Sequence, residues 1–107
     1  MNTSSSKRGS IVITVRVKYL LQLREITGKN EEEIRLRSRS TVEDLLRTLV
    51  TAYGERAREY LFNPEGEVRR NLQLLINGRT LEKHEELHGH MLSEHDVLTI
   101  LPAATGG

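Results

Sequence analysis

Gly106 and Gly107 close the sequence behind three other small residues, Ala103, Ala104 and Thr105, and this run starts directly after "VLTILP". Ends of chains usually fray and carry no role. Here no large side chain occurs in the last five positions, which points to the Gly107 carboxylate as a group to be worked on. A carboxylate at neutral pH is a poor electrophile and reacts only when activated, best in a water-poor cleft. Five residues extend at most about 17 Å at roughly 3.3 Å each, enough to enter such a cleft while a folded domain stays outside. Gly106 and Gly107 lack a Cβ, so a narrow channel can close around their backbone.

Other residue groups invite chemical readings. His84, His88, His90 and His95 lie close together, and His84 and His88 would share a face if their segment were helical. Zinc can use such a pair. With no cysteine in the chain, with Gly89 interrupting, and with Glu85 and Glu86 as the available extra ligands, an exposed loop is expected here and no metal site. Ser93, His95 and Asp96 stand too close along the backbone to assemble as a nucleophile, base and orienter. No catalytic set is visible within the chain.

The elements that would carry the tail read as one domain. The chain has 107 residues, 36% hydrophobic and 29% charged, ordinary values for a soluble globular protein. Its net charge of +1 gives no field to attract nucleic acid or an anionic membrane. The four aromatics, Tyr19, Tyr53, Tyr60 and Phe62, do not alternate with basic residues as base-stacking surfaces do. No apolar run is long enough to span a bilayer. The absence of cysteine suits a reducing cytosol, so a cytoplasmic protein is expected. "MNTSSSKRGS" reads as a disordered leader over residues 1–10.

Residues 11–20, "IVITVRVKYL", alternate with period two. Ile11, Ile13, Val15, Val17 and Tyr19 share one face, and Thr14, Arg16 and Lys18 the other. "LQLREITGKN" reads as a connection. "EEIRLRS" alternates again, with Ile34 and Leu36 inward, so an antiparallel hairpin is expected. Val42, Leu45, Leu46, Leu49, Val50 and Tyr53 then recur at spacings of three and four, which predicts a helix. Its N-cap is either Ser40 with Glu43 or Thr41 with Asp44, and Gly54 is its stop. "ERAREYLF" suggests a short second helix. "NLQLLI" is a strand ended by the Asn77-Gly78 turn. "VLTIL" is a last strand, buried on both faces if Val97, Leu98, Ile100 and Leu101 are all covered, expected to be central as the most uniformly apolar strand, with Pro102 ending it. One long helix with one apolar stripe must cover one sheet, which gives an α+β two-layer domain.

Three stretches then carry a resemblance: "LREITG" at 23–28, "LLINGR" at 74–79 and "LSEHDVLTILPAATGG" at 92–107. Together with the element order they resemble the MoaD/ThiS family of ubiquitin-like sulfur carriers, nearest to the small subunit of molybdopterin synthase. The sequence departs from the family pattern at Glu94-His95, where Asp-Gly is usual, and at Ala103, where a second proline is common. The resemblance implies a β-grasp fold, a mixed sheet of four to five strands packed on one main helix. The domain would span 11–102, with a flexible tail over 103–107. It further implies that an E1-like adenylating enzyme activates Gly107 with ATP, and that sulfur then replaces the adenylate to leave a thiocarboxylate. The large synthase subunit would take that sulfur for molybdenum cofactor biosynthesis, with Leu101, Pro102, Ala103, Ala104, Thr105 and Gly106 as the partner-binding tail. The chain itself would be a non-catalytic carrier that binds no cofactor. A ubiquitin-like modifier joined to targets through Gly107, or an inert β-grasp interaction module, are the alternatives.

Overall fold

The computed structural model describes residues 12–81, 87 and 89–102. The first stretch of alternation forms β1, Val12–Tyr19, and the second forms β2, Glu31–Arg37. They pair antiparallel, Val15 against Ile34 and Lys18 against Glu31, as the alternation predicts. Val15, Val17, Tyr19 and Leu36 point into the core, while Arg16, Lys18, Arg35 and Arg37 stay exposed.

The connection between them is not a plain loop. Gln22–Thr27 forms a six-residue helix, α1, which corrects the sequence reading of "LQLREITGKN". A single buried side chain, Leu23, anchors it, and Gly28 closes it in the left-handed conformation with its N–H on the Arg24 carbonyl. Its two apolar residues, Leu23 and Ile26, make a single i,i+3 pair, too short a run to establish a period in the sequence.

The main helix, α2, spans Val42–Tyr53 and buries Val42, Leu45, Leu46 and Leu49 against the sheet. Of the two cap choices the chain uses Thr41. Its hydroxyl accepts from Asp44 N at 3.2 Å, and Asp44 Oδ2 accepts from Thr41 N at 2.9 Å. Glu43 and Arg47, one turn apart, are paired on the outer side. Gly54 breaks the helix, and α3, Glu55–Leu61, follows with Ala57 and Leu61 buried.

The sheet is completed by β3, Leu72–Ile76, β4, Arg79–Thr80, and β5, Val97–Pro102, in the order β2-β1-β5-β3-β4. β5 is therefore central, parallel to β1 and antiparallel to β3. Asn77 and Gly78 both take positive φ, 52° and 86°, the pairing that a two-residue turn between β3 and β4 requires. Only Leu98 and Ile100 of β5 are fully buried; Val97, Thr99 and Leu101 face outward and are half-buried, because the helices lie on one side, so the condition for burial on both faces is not met. Pro102 ends the strand as expected, opposite Leu72; at a strand end its missing N–H costs little.

Candidate functional site: the tail exit and its frame

Pro102 is where the last described strand ends, and three connections hold the strand that leads to it. Leu101 lies opposite Gln73, Ile100 lies between Leu74 and Tyr19, and Leu98 lies between Ile76 and Val17. Leu101 and Pro102 are half-buried. The remaining expected tail residues, Ala103, Ala104, Thr105, Gly106 and Gly107, fall outside the described residues.

The start of β5 is tied as firmly as its flanks, and here two of the sequence motifs meet. Asn77 of "LLINGR" donates from Nδ2 to Asp96 Oδ1 at 2.9 Å and accepts Val97 N–H on Oδ1 at 2.9 Å. Its own N–H donates to the Val97 carbonyl at 2.8 Å. Asp96 Oδ2 accepts from Ser93 N at 2.8 Å, closing the "SEHD" turn. His95 N–H donates to Thr14 O, and Arg16 N–H to Asp96 O, so the same turn is laced to β1. The motif residues Asn77 and Asp96 therefore register the strand that carries the tail. His95 sits in this turn at φ 71°, a conformation that costs a non-glycine residue about 1–2 kcal/mol. That geometry explains why a glycine suits this position and marks His95 as the strained substitute.

"LREITG" has a structural part in the same frame. Leu23 is in the core, Arg24 Nε donates to the Tyr19 carbonyl at 3.1 Å, and Gly28 is the cap of α1. Before it stands Leu21, 65% exposed at φ 53°. Gln22 comes next and lines a surface groove together with Glu59, Tyr60, Arg69, Leu72 and Pro102. This groove lies at the tail exit. Tyr60 contributes a buried hydroxyl with no hydrogen-bond partner among the described residues, and burial pushes its pKa up.

The outer face of the sheet divides in two. Over β5 and β3 it shows the half-buried side chains Val97, Thr99, Leu101 and Leu75; over β1 and β2 it shows Arg16, Lys18, Glu31, Glu33, Arg35 and Arg37. An apolar strip thus runs along the central strand to the exit.

Sequence reasoning missed one polar centre. Glu32 opens the inner face of β2 and accepts from the hydroxyls of Tyr19 and of Tyr53, the latter at 2.6 Å, and from Lys29 Nζ at 3.0 Å. Burial pushes its carboxyl pKa up, but the Tyr19, Tyr53 and Lys29 donors together outweigh burial and hold it below the usual range. Tyr19 is pushed far above an ordinary phenol by burial and by the Glu32 charge. The one sequence signal was parity: Glu32 falls in phase with Ile34 and Leu36.

For the histidines, His84 and His88 lie outside the described residues. His95 is well exposed and His90 half-buried, and no group of three metal-capable side chains assembles among the described residues. The expected exposed loop is corrected at Leu87, which is buried in the core, as is Leu92. Among the described residues no helix is long and apolar enough to cross a membrane.

A mixed sheet with a central last strand and one main helix across it define a β-grasp, ubiquitin-like domain. The family model for the ThiS family matches residues 17–107, and the chain belongs to that family. Among solved structures, the HVO 2177 protein of Haloferax volcanii is 26% identical, with a TM-score of 0.78 over 91% of this chain and 89% of that one. The small archaeal modifier protein 1 of Methanosarcina acetivorans is 30% identical, with a TM-score of 0.68 over 90% and 98%. A putative molybdopterin converting factor, subunit 1, from Pyrococcus furiosus is 25% identical, with a TM-score of 0.68 over 86% and 99%. Among curated proteins, none matches the sequence significantly.

Proposed function

We propose that this chain is a sulfur carrier of molybdenum cofactor biosynthesis, acting in the cytoplasm as the small subunit of a molybdopterin synthase. Gly107 is its terminal residue in this reading. An E1-like enzyme transfers AMP from ATP to the Gly107 carboxylate, releasing pyrophosphate. A donor delivering sulfur at the sulfide level then attacks the carbonyl carbon, the bond to AMP breaks, AMP leaves, and the thiocarboxylate that remains is consumed by the large synthase subunit. The carrier contributes no acid, base or nucleophile to these steps; it presents Leu101 to Gly106 to its partners and keeps the head outside their clefts. The observation that carries the reading is the membership of residues 17–107 in the ThiS family, with β5 clamped centrally and ending at Pro102. The Pyrococcus furiosus neighbour supports the molybdenum branch.

A second reading, a modifier joined to lysines through Gly107, is favoured by the 30% identity to a small archaeal modifier protein. One experiment separates the two. The intact mass is measured after incubation with an E1-like enzyme, ATP and a sulfur donor, and cellular proteins are searched for Gly-Gly branches on lysine. Oxygen-to-sulfur exchange at Gly107 without branches supports the carrier; branches support the modifier. If neither change appears, both readings fail.

A further inference from the structure

β2 lies at one edge of the sheet, and the direction of its backbone groups can be assigned. Tyr19 N–H donates to Asn30 O, so in this register Glu32, Ile34 and Leu36 turn their peptide groups toward β1. The N–H and C=O groups of Glu31, Glu33, Arg35 and Arg37 therefore point away from the sheet. Their four side chains lie on the outer face and are exposed. Along this edge the charges read Glu31, Glu33, then Arg35, Arg37. On the β1 side, Arg16 reaches Glu31 and Glu33 at 3.5 and 3.2 Å, whereas Arg35 and Arg37 have no ion pair among the described residues.

We propose that β2 is a self-complementary edge through which two copies of this chain pair antiparallel, about a two-fold axis at Ile34. In that register Glu33 of one copy lies opposite Arg35 of the other, and Glu31 opposite Arg37. The outward peptide groups of these same residues then form the hydrogen-bonded pairs. The Arg37 carbonyl already accepts from Ser40 N at 3.1 Å, so that pair relies mainly on the Arg37 N–H. Each row across the joined sheets alternates in sign: Arg16, Glu33, then the second copy's arginine; Lys18, Glu31, then an arginine again. The two half-buried Ile34 side chains meet on the inner face as a closely spaced, non-hydrogen-bonded pair.

Other two-fold registers do not match. Centring on Glu33 or Arg35 sets that residue against its own copy and leaves two opposite-charge pairs where the Ile34 centre makes four, and centring on Glu32 or Leu36 places Glu31 against Glu33 or Arg35 against Arg37. Scattered charge is enough to guard an edge against pairing. Two acids followed by two bases on one face is the arrangement that favours one register. The occupant is therefore a second copy. Its contact is small, so the association is of the transient class, and the two copies direct their β5 ends oppositely.

Sedimentation equilibrium at low ionic strength, carried into the millimolar range, tests this. The wild-type molar mass should double with concentration, and added salt should weaken the association. R35E/R37E alone and E31R/E33R alone should stay monomeric, while an equimolar mixture should form a one-to-one dimer. Circular dichroism checks that each variant is folded. If a variant fails to fold, amide exchange in the wild type decides instead. With nine-tenths of the chain dimeric, the Glu33 and Arg35 amides should exchange roughly tenfold more slowly, and those of Glu32 and Ile34 should gain nothing comparable. A monomeric wild type, an unaffected R35E/R37E dimer, a folded mixture that stays monomeric, or unchanged Glu33 and Arg35 exchange would each overturn the proposal.

Discussion

Single positions in this chain separate strain from chemistry. His95 holds a left-handed conformation in the turn that registers β5, and its side chain is exposed. Replacing it by glycine relieves about 1–2 kcal/mol of backbone cost. The looser unfolded chain takes back about 0.5–1 kcal/mol. His95→Gly is thus expected to stabilise by about 0.5–1 kcal/mol, read as a higher urea midpoint at unchanged slope. Asn77→Gly keeps the positive φ but removes the bonds to Asp96 and Val97, and is expected to cost about 1–2 kcal/mol in the same measurement. At Gly107 the expectation is different in kind. Gly107→Ala, or one residue added after it, should leave unfolding unchanged and greatly slow adenylation, measured as AMP transfer by an E1-like partner. Sulfur loading at the wild-type rate in either variant would show that no close-fitting channel receives the end of the chain.

At the scale of elements, the Glu32 centre joins the start of β2 to β1 through Tyr19 and to the end of α2 through Tyr53. The ionised carboxylate is the form the fold binds. Its contribution is therefore present above the ordinary carboxylate range near ~4.3 and is lost as pH falls through the lower folded value. Glu32→Gln should destabilise by about 2 kcal/mol at neutral pH. The gap between variant and wild type should shrink in acid, as followed by urea denaturation across pH. Strongly periodic elements were legible in the sequence: the alternation of β1 and β2, the stripe of α2 and the turn at Asn77-Gly78 all appear where the pattern puts them. α1 was not legible, because the lone i,i+3 pair of Leu23 and Ile26 in six residues is too short to show a period. Glu32 was not, because "EEE" looks like a solvated run until the partner tyrosines are brought to it from 13 and 21 residues away. Leu101 and Val97 misled in the opposite direction: an apolar strand reads as buried on both faces, whereas the layers cover only one.

In the molecule as a whole, one layer of helices covers one face of the sheet, and the other carries the half-buried Val97, Thr99 and Leu101. The buried cluster that joins sheet to helices, Val17, Leu45, Leu46, Leu98 and Ile100 among its members, is drawn from described residues that precede Pro102. Removing residues 103–107 should therefore leave the thermal midpoint within experimental error of wild type while abolishing sulfur acceptance, checked by calorimetry and intact mass. Because the strand leading to the exit is bordered on both sides, parallel to β1 and antiparallel to β3, a tug on its free end acts along its own axis. The ladder bonds lie across that axis and resist together, as a zip does when sheared lengthwise and not opened tooth by tooth. In the proposed function, a partner that pulls on the chain beyond Pro102 would meet this sheared ladder and leave the head folded.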